Sequence, residues 1–147
     1  MRVSTIGLVL VGLAGVGAAA WMLRPAPASP EAQVRAAVES MARAAREHDV
    51  GGVLAHVSER FRSPQLGGKP ELRSYLLSEL LRGGVVEARV LEARAEPNGP
   101  GEVHFTGRLL LGRTAGGVDL GQRAVEATFA DEQGTWRVVR ANVDAVQ

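Results

Sequence analysis

The chain has 147 residues, with 17 basic and 16 acidic side chains, a formal charge of +1 and no cysteine. A balance this close to neutrality lacks the single-sign excess that phosphate backbones demand, which excludes nucleic-acid binding as the main function. The absence of cysteine excludes disulfides, a thiolate nucleophile and a thiolate metal site, and an oxidising compartment would leave the chain unaffected.

Residues 1–24 read as a membrane segment. From Thr5 to Leu23 no side chain is charged. At ~1.5 Å per helical residue that run reaches about 28 Å, close to the ~30 Å hydrocarbon core of a bilayer. Two readings stand. One is an uncut single-pass anchor. The other is a signal peptide with Arg2 at its basic start and a cut near Ala28, after Ala26-Pro27. The length of the run favours the anchor, and no cysteine follows it to accept a lipid. Both readings leave the amino terminus in the cytoplasm and export the rest. The expected location is the inner membrane with the domain on the periplasmic side, or secretion after cleavage.

Pro25, Pro27 and Pro30 make residues 25–30 a short extended linker, and residues 31–147 one domain. All the acidic residues fall in that domain, whereas Arg2 and Arg24 lie outside it, so the domain itself is near −1. Ser29 can cap a helix with Pro30 at its first position. Val34, Val38, Met41 and Ala45 then recur at helical spacing opposite Arg35, Glu39 and Arg43, the pattern of an amphipathic helix running to His48. Asp49 caps a second, shorter helix expected to bury Val50, Val53, Leu54 and Val57, with Phe61 just beyond. Residues 62–69 read as a loop. Pro70 opens a third helix with Leu72, Tyr75, Leu76 and Leu80 inward, stopped by Gly83-Gly84.

After Gly84 the period changes to two. Val86, Ala88 and Val90 alternate with Glu87 and Arg89 up to the turn signal Pro97-Asn-Gly-Pro-Gly101. The next strand puts Val103, Phe105, Leu109 and Leu111 on one face and His104, Thr106 and Arg108 on the other, with a bulge or bend at Gly107. A long strand from Val118 to Ala130 carries Val125, Ala127 and Phe129, and Asp131–Gly134 connects it to a last strand from Thr135 to Asp144. The sum is an α+β domain: three N-terminal helices packed on a curved antiparallel sheet of four or more strands, preceded by a transmembrane helix.

This order resembles the nuclear transport factor 2-like superfamily, the cone-shaped fold shared with ketosteroid isomerases and SnoaL-type cyclases. The likeness rests on Arg46–Phe61 after the opening helix, the helix Pro70–Leu81, and the hairpin Ala127–Val139 ending in Trp136. It implies a sheet curled around the long helix, with a pocket at the open end of the cone. The family's catalytic residues differ between members, so the fold transfers no reaction. Ketosteroid isomerases, a worked example in general accounts of catalytic carboxylates, need an Asp base with a Tyr and a second Asp as oxyanion donors. The first helix here holds no Tyr, and Tyr75 is the only one in the chain.

The candidate pocket-lining residues are Met41, Tyr75, Phe105, Phe129 and Trp136. The catalytic residues, if the domain is an enzyme, are unknown from the sequence, and no metal site or cofactor is expected. His48 suits a helix C-terminus, His56 has no partner at metal-ligand spacing, and His104 should point away from the face that Val103 and Phe105 bury. The glycine pairs lack phosphate-loop spacing. The favoured reading is therefore an anchored, exported domain that binds a small apolar ligand or a partner protein without catalysis. A homodimer through the sheet and a secretion-machine scaffold are candidate assemblies. The alternative is a small isomerase, cyclase or dehydratase working in the cone. An enzyme should converge two ionisable groups there, one of them desolvated.

Overall fold

The computed structural model describes residues 28–82, 86–113 and 119–145. The proposed membrane segment and the first half of the linker lie outside them. No helix among the described residues is long and apolar enough to cross a membrane.

The first helix, α1 (Pro30–Arg46), starts as its sequence dictates: the Ser29 hydroxyl accepts the Ala32 amide at 3.2 Å, with Pro30 in the first turn. Val34, Ala37, Val38 and Ala44 form its buried stripe. The helix closes on a Schellman pair: the His48 amide donates to the Ala45 carbonyl (3.1 Å) and the Asp49 amide to the Ala44 carbonyl (2.8 Å). His48 itself occupies the left-handed region at φ 57°. Asp49 then caps the short α2 (Val50–Leu54), its carboxylate accepting the Gly52 amide at 2.9 Å.

Here the structure corrects the sequence reading. Val57–Ser63 is a strand, β1, where a helical end and a loop are expected, and it is followed by the two-residue β2 (Gly67–Gly68). Val57 and Phe61, four residues apart, imitate a helical stripe but are both buried as inward strand residues. The third helix, α3 (Lys69–Leu80), places Leu72 and Leu80 inward. Tyr75 falls on its flank and is 51% exposed, so it is not core.

The strands β3 (Val86–Pro97), β4 (Glu102–Arg113), β5 (Asp119–Glu132) and β6 (Thr135–Ala145) follow in a meander. The six-stranded sheet has the order β2-β1-β6-β5-β4-β3. It is mixed rather than wholly antiparallel, because β1 runs parallel to β6 (Val57 beside Val138, Arg62 beside Arg140). The β5–β6 turn has both central residues at positive φ, Gln133 at 58° and Gly134 at 87°, the geometry of a two-residue type I′ hairpin. The bend expected at Gly107 belongs to its neighbour. Leu91 is the extra residue on β3, between the pairs Val90–Leu109 and Glu92–Arg108. A Cβ at Gly107 would stand 2.6 Å from the Glu92 carbonyl oxygen and 2.9 Å from the Phe105 ring, so the bulged strand leaves room only for glycine.

The inner face of this sheet and the helices share one core. Val34 and Val38 of α1 meet Val57 and Phe61 of β1, Leu72 of α3, and Phe105, Phe129, Trp136 and Val138 of the meander. Phe105 and Phe129 pack edge to face, with centroids 6.3 Å apart and planes at 72°.

Candidate functional site

Strand alternation builds a cavity on the inner face. On β4 the inward phase delivers Phe105, Leu109 and Leu111 and on β5 Val125, Ala127 and Phe129; on β6 it delivers Val138 and then, past a register shift at the extra residue Val139, Ala141 and Val143. The α1 stripe covers them with Val38, Met41, Ala42 and Ala45. Together with neighbours from α2, β1, β3 and α3 these side chains enclose about 200 Å³. Among the described residues Arg89 is the only polar or charged contributor to the lining, and its guanidinium reaches the Glu87 carboxylate at 3.0 Å.

Of the sequence candidates, Met41, Phe105 and Phe129 meet in this cavity. Trp136 does not: it is buried in the core cluster beyond the lining. Tyr75 stands on the solvent side of α3. The small residues Ala42, Ala45 and Ala141 are not among the pocket candidates, although Ala45 belongs to the expected helical stripe and the other two lie on that stripe and on the inward pleat. Their small size is what leaves the space.

Titratable groups gather elsewhere. His104 points to the outer face of the sheet, where its Nε2 lies 3.9 Å from Glu126 Oε1. Both side chains are substantially solvated, at 40% and 65% exposure, so this pair is neither desolvated nor inside the cone. A second group lies where β1 meets the β5–β6 hairpin. The fully buried Ser58 donates its hydroxyl to Glu132 Oε2 at 2.7 Å, and Arg60 and Arg137 approach the same carboxylate at 3.2 and 3.6 Å. The Ser58 hydrogen bond, helped by the two guanidiniums, holds the Glu132 carboxyl below the ordinary glutamate value of 4.5. His56, beside it, is pushed below 6.5 by burial and by the Arg137 charge, and its Nδ1 is enclosed without a hydrogen-bond partner. This cluster ties strands together. Among the described residues no group of three His, Asp or Glu side chains is placed to hold a metal ion.

No protein-family model matches the sequence, and no curated protein matches it. Solved structures match the fold. A nuclear transport factor 2-like protein of unknown function from Pseudomonas putida superposes with a TM-score of 0.68 at 15% identity, covering 79% of this chain and 86% of that one. A ketosteroid isomerase-like protein from Erwinia carotovora gives 0.63 at 17% identity, over 80% and 96% of the two chains. A protein of unknown function with a cystatin-like fold from Nostoc punctiforme gives 0.63 at 15%, over 78% and 89%. Identities this low speak for architecture and for no reaction. The chain has the nuclear transport factor 2-like α+β fold, a curved six-stranded sheet around helices with an apolar cavity on its inner face.

Proposed function

We propose that this chain is a membrane-anchored, exported domain that holds a small apolar ligand in the cone and performs no chemistry on it. The cavity carries this reading. Its lining is apolar except for Arg89, and an acid–base mechanism needs a titratable pair within about 2.6–3.2 Å of reacting atoms. The pair His104 and Glu126 occupies the opposite face of the sheet, and Arg89 at the cavity is held by Glu87. A volume of about 200 Å³ is somewhat larger than the roughly 150 Å³ apolar cavity known to stay dry and accept benzene. The ligand is accordingly of one-ring or short-alkyl size. The anchor rests on the uncharged run 5–23 and the proline linker after it. On this reading the domain sits at the inner membrane, on the periplasmic side.

Benzene is the probe. Saturating the full chain in detergent with benzene should raise its melting temperature, because a ligand bound only by the folded state stabilises it by mass action. Ala45→Leu, which fills the cavity from α1, should remove the rise while leaving the fold intact. A wild-type protein indifferent to benzene would overturn the ligand reading. Turnover abolished by substitutions inside the cone would overturn the non-catalytic one.

A further inference from the structure

The outer face of the sheet carries a second feature, independent of the cavity ligand and of the anchor. Strand register aligns one row of side chains across it. Arg62 of β1 lies opposite Arg140 of β6, Arg140 opposite Thr128 of β5, and Thr128 opposite His104 of β4. These residues line a groove of about 520 Å³, with Asn142 and Glu126 in the adjoining row.

The two arginines are directly opposed on strands about 4.8 Å apart, and like charges in that position destabilise a sheet. Six other arginines have acids. Arg60 and Arg137 meet Glu132, Arg82 and Arg113 meet Glu79, Arg89 meets Glu87, and Arg108 meets Glu92. Among the described residues Arg62 and Arg140 form no ion pair, and neither do Arg35, Arg43, Arg73 and Arg94; what sets the first two apart is that they face each other across two strands. Arg62 spends one donor on the neighbouring Phe61 carbonyl at 2.8 Å, out of the five a guanidinium carries. Between Arg140 and His104 the floor is Thr128, only 7% exposed. Glu126 is the one carboxylate in the lining, and it faces His104.

We propose that this groove is an oxyanion site for a small phosphorylated molecule, with the phosphoryl group bridging Arg62 and Arg140. Guanidinium forks match phosphate oxygens in geometry as well as charge. Occupation would replace a like-charge opposition with two charge-assisted contacts. Thr128 and His104 supply further donors. The groove volume exceeds that of a phosphate ion, leaving room for a modest organic body beside it.

Inorganic phosphate tests the site, titrated into the full chain in zwitterionic detergent at fixed ionic strength, with chloride as the screening control. Saturable binding is expected. Arg140→Gln and Arg62→Gln should each weaken it about tenfold or more, a change of about 1.4 kcal/mol. Arg108→Gln should leave binding unchanged, since Arg108 lies on the same face but is already held by Glu92 at 2.7 Å. Glu126→Gln should tighten it by removing the only negative charge in the lining. In melting experiments without phosphate, Arg140→Gln should be no less stable than the parent; at equal phosphate, the parent should gain more. Absence of saturable binding would overturn the proposal. So would equal loss in Arg108→Gln and Arg140→Gln, which would reveal general surface attraction.

Discussion

At position 107 a single hydrogen atom decides the packing of two strands. The Glu92 carbonyl and the Phe105 ring both crowd the place where a Cβ would sit, and the carbonyl belongs to a bulged backbone that cannot simply rotate away. Gly107→Ala should therefore cost about 1–3 kcal/mol, the usual range for overpacking, measured by denaturant unfolding. Two neighbouring ionisable groups make a second residue-scale prediction. Because the folded His56 has a pKa below 6.5, the unfolded chain takes up that proton first. Stability should begin to fall as pH drops below 6.5 and level off once the lowered value is passed. The Glu132 carboxyl is also held low, below 4.5. Its contribution is complete above that value and is lost as pH falls through the depressed one. His56→Gln should erase the upper step of the acid limb and Glu132→Gln the lower, in unfolding free energies followed against pH.

Among the elements, those with regular periods were legible and the irregular one was not. The four meander strands lie within a residue or two of their expected bounds, since alternation and the Asn98–Gly101 and Gln133-Gly134 turns mark them from both sides. β1 was hidden because Val53, Val57 and Phe61 recur every four residues, and because its pairing with β6 shifts register midway. The same logic sorts the pocket candidates. Met41, Phe105 and Phe129 follow directly from stripe and pleat. Tyr75 fails because the α3 stripe centres on Leu72, Leu76 and Leu80, one flank away. Trp136 has the inward phase, but the hairpin carries it past the cavity into close packing. Trp136→Ala should accordingly lower stability by about 3–5 kcal/mol, read from the melting curve. It should leave benzene binding unchanged in any molecule that remains folded.

For the molecule as a whole, the fold could be read because its signals are packing signals. The size of the cavity could not, since it arises from what small residues leave empty. The outer row was equally invisible: Arg62, Arg140, Thr128 and His104 are far apart in sequence and become neighbours only through register. The anchor reading makes its own whole-molecule prediction. A reporter fused after Gln147 should be active outside the cytoplasm, and activity confined to the cytoplasm would refute export. The mature mass, with or without residues 1–28, separates the anchor from a cleaved signal.

The place of β6 in the sheet has a temporal side. It is the last of the described strands along the chain, yet it lies between β1 and β5 and joins them. Until β6 arrives, β1–β2 and β3–β5 are separate fragments, each with an unpaired edge. Folding is thus gated by residues 135–145, through contacts of high sequence separation that form slowly. A chain still emerging from the ribosome has no finished sheet. Completion waits for the final strand to be delivered.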